Sequence, residues 1–191
     1  MTQEKLREFD FDVISDIIIH NSKLYKEYQS IENDTLRKKA LGKIFKSVEY
    51  LLFKLPLCDS KALWTGKISE NAIIELKTKD RPKVEREHFW PRKIVIHKLF
   101  NDWLHVLKKE SGKGLRKLYL DSPGFGLYHI TTSSENGILN SKYQHLSVFE
   151  SPEQSYNNAN ILLFDAPDDF FGKSRDGMSW WKSINPKYLE L

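Results

Sequence analysis

The apolar residues between positions 5 and 55 recur at helical spacing, and this pattern constrains the fold more than any other feature of the sequence. One set runs from Phe9 to Ile18 and a second runs from Leu41 to Leu52, and each would lie on one face of a helix. Asn33 is a typical cap at the start of the second helix. Pro56 ends the pattern, because proline lacks a backbone donor and clashes with the preceding turn. Residues 1–60 are therefore predicted to form an N-terminal helical region.

After Pro56 the pattern changes to a mixture of helix and short extended segments. A long helix is predicted from Ile94 to Lys109, and the glycine-containing segment 111–114 would end it. Residues 72–79 fit either a helix or a strand. Three short segments bounded by turn residues are predicted to be extended, namely 115–120, 126–132 and 159–164. The sequence thus predicts an α+β fold whose parts, 1–60, 61–165 and a packed tail at 166–191, form one compact domain.

Composition narrows the class of protein further. Of the 191 residues, 40% are hydrophobic and 13% aromatic, which is enough to bury a sizeable core and excludes a disordered chain. Cys58 is the only cysteine, so an intramolecular disulfide and a cysteine-based zinc site are excluded. The N-terminus does not have the form of a signal peptide, and the apolar runs are too short to cross a bilayer. We therefore expect a soluble, cytoplasmic protein without a membrane partner.

The net charge of +4 and the pI near 9.0 are compatible with nucleic-acid binding but do not demand it. A more specific signal is the pair Glu87-His88, followed by Pro91, Arg92 and Lys93. Adjacent strand residues point to opposite sides, so only one of the two side chains is expected to face a core. A carboxylate at this position would bind a hard cation such as Mg²⁺, and the imidazole would deprotonate water. The basic residues that follow would attract a phosphodiester.

The segment EHFWPRK at 87–93 resembles the first motif of HNH endonucleases, in the variant written Glu-His-x-x-Pro-Arg. The second element of that family is similar to the segment containing Asn136 and His145, so that the likeness spans residues 64–163. The resemblance implies a ββα-metal core, a hairpin and a helix that hold one divalent cation, near residues 83–150. This core would carry a helical insertion and no structural zinc.

The resemblance also implies roles for individual residues. His88 matches the general base and Glu87 the acidic metal ligand, while Asn136 matches a residue that binds metal or orients the base. His145 matches a second metal ligand, and Arg92 would grip the scissile phosphate. Two features leave open which residue is the third member of the ββα-metal core, here called the third finger position. Thr132 and Glu135 form a capping box that puts Asn136 in a first helical turn, and Asn140 lies one turn further on. The implied cofactor is Mg²⁺, Mn²⁺ or another divalent cation.

The implied activity is hydrolysis of DNA in restriction, phage defence or a mobile element, by a homodimer or within a larger defence complex. Further DNA contacts are predicted from Arg86, Lys93 and a basic helix face that carries Arg37, Lys38 and Lys43. A solvated helix face is the simpler explanation of the latter three residues.

Three alternatives remain open at this stage. Asp59, Glu75 and Lys77 have the form of a PD-(D/E)xK nuclease, although Ser69 looks like a helix cap, and a helix would separate Glu75 from Lys77. A second alternative is a non-catalytic nucleic-acid-binding module on a nuclease-like scaffold. The third is a partner-binding subunit that docks through aromatic residues. The pair Trp180–Trp181 could stack on bases but also suits the edge of a core, and His129 has no evident partner in the sequence.

Overall fold

The structure is a computed structural model, which describes residues 10–54, 63–171 and 184–188. Pro56, Cys58, Asp59 and Trp180–Trp181, on which parts of the sequence interpretation rest, lie outside these residues. In the described part of the chain, no helix combines the length and the apolar character needed to cross a membrane.

The described residues form an α+β fold, as the sequence predicts. In chain order the elements are α1 (Phe11–Gln29), α2 (Asp34–Glu49), a π-helical turn (Tyr50–Lys54), β1 (Trp64–Ser69), α3 (Glu70–Thr78), β2 (Val84–His88), α4 (Arg92–Asn101), α5 (Leu104–Leu120), β3 (Tyr128–Thr132), α6 (Ser133–Ile138), a second π-helical turn (Leu139–Tyr143), α7 (Pro152–Asn158), β4 (Leu163–Asp165) and a 3₁₀ turn (Pro186–Tyr188). The segment 72–79, which fits helix or strand by sequence, is thus mostly helical.

The chain divides into two compact units. The helical unit comprises Met1–Ala62 and Trp90–Gly126, and the sheet unit comprises Leu63–Phe89 and Leu127–Leu191. The helices predicted as an insertion into the nuclease core therefore pack with the N-terminal helices, because α1 and α2 contact α4 and α5. The two strands that flank this insertion, β2 and β3, belong to the sheet unit.

Local side-chain bonds define where the N-terminal helices begin. The Asp10 carboxylate accepts hydrogen bonds from two backbone amides of the first turn of α1, and the Asn33 amide oxygen accepts one from Leu36 at 2.9 Å. The predicted cap at Asn33 is confirmed.

The region after Pro91 differs from the predicted single helix. α4 ends at Asn101, and α5 consists of two helical pieces joined by a bend at Ser111, whose φ of 48° and ψ of −134° are not helical. The predicted helix end at 111–114 is therefore confirmed in place, whereas the predicted extended segment 115–120 is wrong because the chain is helical there. The bend brings Gly112 against α1, where its amide donates to the Asp12 carboxylate at 2.9 Å. A Cβ at Gly112 would clash with the Asp12 backbone nitrogen, so glycine here permits the close approach of α5 to α1 beside the bend.

The sheet unit is built on a mixed sheet with the strand order β2-β3-β1-β4. β1 runs parallel to β3, whereas β2 is antiparallel to β3 and β4 is antiparallel to β1. All five residues of β3 are buried, as expected for a strand with neighbours on both sides. α6 follows β3 directly and contacts both β2 and β3, so β2, β3 and α6 form a strand–strand–helix arrangement.

Candidate functional site

One face of the β2–β3 pair carries polar side chains. The antiparallel register places Glu85 opposite Thr131 and Glu87 opposite His129, and opposite residues project from the same face. Glu87, His129 and Thr131 are 7%, 3% and 0% exposed. We call the side chains of Glu85, Glu87, His129 and Thr131 the polar face. A buried surface of this composition is unusual, because buried polar groups need hydrogen-bond partners.

The residues that follow β3 supply partners for the carboxylates of the polar face. The Gln144 side-chain amide donates to Glu87 Oε1 at 3.0 Å, and Gln144 is itself buried. The Asn136 side-chain amide donates to the Glu85 carboxylate. α6 and the turn after it are thereby tied to β2 by two side-chain hydrogen bonds.

His88 projects from the other face of β2, because adjacent strand residues alternate in direction. Its register partner is Tyr128, and the Arg86 guanidinium lies 5.8 Å from the centre of the Tyr128 ring. His88 is 2% exposed. The expectation that only one of the Glu87–His88 pair faces a core is therefore wrong, since the sheet unit buries both side chains on opposite faces of one strand.

The three side chains predicted to hold a metal, those of Glu87, Asn136 and His145, are not arranged as a coordination sphere. The Asn136 amide oxygen accepts a hydrogen bond from Asn140, its rival for the third finger position. His145 is exposed, and its Nε2 donates to the Ser141 carbonyl at 3.0 Å. Among the described residues there is no group of three or more His, Cys, Asp or Glu side chains that could hold a metal ion. Asn136 and His145 are thus each bonded to other protein groups, and a cation would have to displace these hydrogen bonds to be held by the implied donor set.

The predicted phosphate-binding residues fall in both units. Arg92 belongs to the helical unit, where its guanidinium donates to Glu49 at 3.0 Å. Lys93 is exposed in the same unit, whereas Arg86 lies on β2 in the sheet unit. Arg92 thus forms an ion pair with Glu49, and this ion pair would have to break before Arg92 could bind a phosphate.

The basic face of α2 is only partly available to a ligand. Arg37 and Lys38 both pair with Asp34, Lys38 at 2.7 Å. Lys43 lines a groove of about 450 Å³ between α1 and α2, together with Tyr28 and Lys39. Of the three predicted residues, Lys43 is the one that borders an open groove.

The PD-(D/E)xK alternative is disfavoured by the geometry of α3. Glu75 and Lys77 both lie in this helix, whose N-terminus is capped by the Ser69 hydroxyl. Residues two apart on a helix project about 200° apart, so the Glu75 and Lys77 side chains do not converge on one catalytic centre. Glu75 instead accepts a hydrogen bond from the Lys83 backbone at 3.1 Å.

His129 occupies a defined hydrogen-bonding environment that the sequence does not reveal. Its Nδ1 lies 2.6 Å from the Thr65 hydroxyl oxygen, and this hydroxyl also lies 3.1 Å from the Tyr128 carbonyl. A carbonyl can only accept, so the hydroxyl donates to Tyr128 and accepts from His129. The proton of the imidazole is therefore on Nδ1, and the lone pair is on Nε2. Nε2 is buried and has no hydrogen-bond partner among the described residues.

Aromatic rings pack against the His129 imidazole. The rings of Phe89 and Tyr156 pack edge-on against the imidazole at centroid distances of 4.9 Å and 5.3 Å. Phe89 and Tyr156 also pack with Leu139 and Ile161 in one apolar cluster. Packing thus holds the region together, as expected for a chain without cysteine ligands.

Burial changes the protonation of both polar rings in this cluster. Desolvation, aided by the positive charge of Lys67, lowers the pKa of His129 to about 3. Desolvation, followed by the negative charges of Glu87 and Glu135, raises the pKa of the Tyr156 hydroxyl well above its ordinary value. At neutral pH the site therefore holds a neutral imidazole and a neutral phenol beside the Glu87 carboxylate.

The lowered pKa of His129 predicts how the free energy of unfolding depends on pH. Between about pH 6.5 and pH 3 the unfolded chain binds a proton at His129 and the folded chain does not, so the free energy of unfolding decreases as the pH falls. The contribution of one such group is at most about 1.4 kcal/mol per pH unit. Urea unfolding of chelator-treated protein at pH 6.5, 5.75 and 5.0 should show a shallower slope for His129→Gln than for the wild type. His105→Gln removes an exposed histidine of α5 and should keep the wild-type slope; equal slopes for all three proteins would contradict a neutral buried His129.

The chain was compared with known proteins through family models, curated sequences and solved structures. No family model, curated protein or solved structure matches it significantly. The functional conclusion therefore rests on this chain's own residues and on the motif resemblance.

Sequence reasoning missed His129, Gln144 and Tyr156 as members of the site. The missing information is the register of β2 against β3, which puts His129 opposite Glu87. The alternation of side chains in GLYHITT and in the strand that ends at Glu87-His88 shows which residues share a face within each strand. It places His129 beside Glu87 only once the pairing of the two strands is known.

Proposed function

We propose that this chain is a divalent-metal-dependent endonuclease of the HNH type that hydrolyses DNA phosphodiester bonds. The observation that carries the proposal is the strand–strand–helix arrangement of β2, β3 and α6, with Asn136 of α6 bonded back to Glu85 of β2. The Glu87-His88 pair ends the first strand of this arrangement, as in the HNH resemblance.

The position of β2 supports a shared role for two residues on opposite faces. Among the described strands β2 lies at one edge of the sheet, and Glu87 and His88 are its last two residues, so a phosphodiester would have to reach both side chains around the end of this strand. His88 would accept the proton of the attacking water, and Glu87 would provide the negative charge of the site. Because both side chains are buried, substrate binding has to uncover them.

The basic residues have a positioning role in this proposal. Lys93 and the groove beside Lys43 are exposed on the helical unit, and they would contact phosphates without reading the base sequence. Target preference is then expected to come from the helical unit or from a second subunit. Restriction, phage defence and mobile-element nucleases all fit such a chain.

Nicking of supercoiled plasmid tests the proposal. Wild-type protein should convert supercoiled DNA to open circles with Mg²⁺ or Mn²⁺, and His88→Ala should nick at least about 100-fold more slowly, which is the low end of the contribution of a general base. His97→Ala changes a histidine of α4 in the helical unit and is the matched control. If His88→Ala nicks like the wild type, His88 is not the base; unfolding midpoints of both variants must confirm that they are folded.

A second candidate function is a nucleic-acid-binding module without catalysis. The burial of Glu87 and His88 favours this alternative, because a buried pair has no access to substrate in the conformation described. The same assay decides between the two, since a binding module shifts plasmid mobility without nicking it.

A further inference from the structure

The groove between α1 and α2 lies within the helical unit and brings apolar and aromatic side chains to the surface. Leu36 and Ile44 of α2 line it, and Tyr28 lines it from α1. Ile44 is buried, but Leu36 is 56% exposed and leaves apolar surface open to water. The volume of about 450 Å³ lies within the range of small-ligand sites. The groove therefore has the size and the apolar character of a binding site.

Two lysines give this groove a positive charge. Lys39 and Lys43 lie one turn apart on α2, both are exposed, and neither forms an ion pair with any described residue. Lys38 on the same helix differs, because it pairs with Asp34 at 2.7 Å. The described residues that line the groove include no carboxylate. Like charges one turn apart repel each other and destabilise a helix, so an anion bound between the two lysines would relieve this repulsion.

The aromatic ring beside the lysines indicates which kind of anion fits. Tyr25, one turn before Tyr28, packs its ring on Phe45 and Phe100, whereas Tyr28 is half-buried at the groove. A DNA duplex presents its phosphates to a protein but keeps its base faces stacked, so it would leave Tyr28 and Leu36 without a contact. A single strand exposes its base faces, and these stack on aromatic side chains next to a positively charged groove.

Uncharged polar side chains complete the match with a nucleotide. Asn21 and Ser47 line the same groove, and amide and hydroxyl groups bond the edges of bases. A folded protein partner fits less well, because a standard protein interface takes about 20–30 residues from each side. The residues that line this groove are far fewer.

We propose that the groove between α1 and α2 binds single-stranded DNA, with a base against Tyr28 and Leu36 and the neighbouring phosphates on Lys39 and Lys43. This inference goes beyond the proposed hydrolysis of DNA, because binding in the helical unit requires neither a cation nor cleavage. It also specifies the DNA contact proposed above for Lys43, since the ligand becomes an unpaired strand in place of any phosphate backbone.

Fluorescence anisotropy of a labelled oligothymidylate of about 12 nucleotides, in chelator, measures this binding without a cleavage step. Lys39→Gln/Lys43→Gln removes two phosphate contacts and should weaken binding by about tenfold or more. The slope of log affinity against log salt should fall by about 1.4, which is about 0.7 for each phosphate of a single strand. Lys113→Gln/Lys117→Gln is the matched control, because these lysines are also exposed and one turn apart, on α5. It should change the affinity less than about twofold.

Two substitutions of Tyr28 test base stacking separately from charge. Tyr28→Leu should weaken binding by about fivefold or more, the low end of the contribution of one stacked base, and should leave the salt slope unchanged. Tyr28→Phe keeps the ring and should bind within about twofold of the wild type. Unfolding midpoints show whether these variants fold, and the exposed lysine variants decide the matter if Tyr28→Leu does not.

Weaker binding by Lys39→Gln/Lys43→Gln and by Tyr28→Leu, with full affinity in the control and in Tyr28→Phe, supports the inference. No binding of the oligonucleotide by the wild type overturns it, as do equal losses in the two lysine pairs. Full affinity in folded Tyr28→Leu overturns it in favour of a phosphate contact alone, and a duplex should then bind as tightly as the single strand.

Two further outcomes separate this inference from its rivals. A labelled peptide of glutamate and leucine that binds in place of the DNA, and is lost in Lys39→Gln/Lys43→Gln, would overturn it and identify an acidic protein segment as the ligand. Strand binding by a protein that never nicks plasmid supports this inference and rejects the nuclease proposal. Nicking by a protein that does not bind the oligonucleotide does the reverse.

Discussion

Glu87→Gln is expected to lower the single-turnover rate of plasmid nicking by about 10²- to 10³-fold, because the Glu87 carboxylate would hold the cation that offsets the negative charge of the transition state. Glutamine keeps the size of the side chain and can still accept a hydrogen bond from Gln144. The variant therefore removes the negative charge of Glu87 while it preserves the packing around this side chain.

The matched control for this change is Glu85→Gln. Glu85 lies on the same face of β2 and bonds Asn136, but it is only half-buried and is not opposite His129. We expect its nicking rate to stay within about tenfold of the wild type. Rates for Glu87→Gln that lie within a factor of three of the wild type would exclude Glu87 from the chemistry.

The largest effect on stability is expected from Glu135→Ala in the sheet unit. The buried Glu135 carboxylate accepts from the Ser69 hydroxyl at 2.6 Å, from the Asn71 side-chain amide at 3.0 Å and from the Thr132 backbone amide at 2.8 Å. Alanine leaves these donors without an acceptor, and each buried donor left unpaired costs about 1–3 kcal/mol. We expect the free energy of unfolding of the sheet unit to fall by about 3 kcal/mol or more.

Two further variants sharpen that measurement. Glu135→Gln keeps one acceptor oxygen but turns an amide donor toward the remaining donors, so its loss should be intermediate. Glu153→Ala removes an exposed carboxylate from the first turn of α7 and should cost less than about 1 kcal/mol. Urea unfolding followed by tryptophan fluorescence and by circular dichroism measures all three. A loss below 1 kcal/mol for Glu135→Ala would show that the network contributes little to stability.

Features of the fold that depend on nearby residues were predictable from the sequence. The apolar spacing in the first third of the chain predicts α1 and α2, and Asn33 caps α2 as expected. Thr132 and Glu135 form the predicted capping box at the start of α6. Caps and amphipathic spacing act over one or two helical turns, so the sequence contains the information that determines them.

Features that depend on distant residues were not predictable in the same way. The segment 111–114 indicates a helix break, and the helix does break at Ser111, but the helical piece that follows it to Leu120 was not predicted. The Gly112 amide donates to Asp12 in α1, which is far away in the sequence, so no local pattern shows this packing.

The candidate site shows the same limit. Glu87 and His88 were identified from a short motif, but the partner of Glu87 across the sheet is set by strand register. Register placed His129 and not His145 beside Glu87, and a one-residue slip would have exchanged the faces of every side chain. The buried Tyr156 became part of the site only through its contact with His129.

The most direct test of the central claim measures DNA binding and DNA cleavage on the same wild-type preparation. Supercoiled plasmid is incubated with the protein in Mg²⁺, Mn²⁺, Ca²⁺ or chelator, and bound, nicked and linear species are separated on gels. We expect nicked circles in Mg²⁺ or Mn²⁺ and none in chelator. A protein that retards the plasmid under all four conditions and never nicks it would be a binding module and not a nuclease.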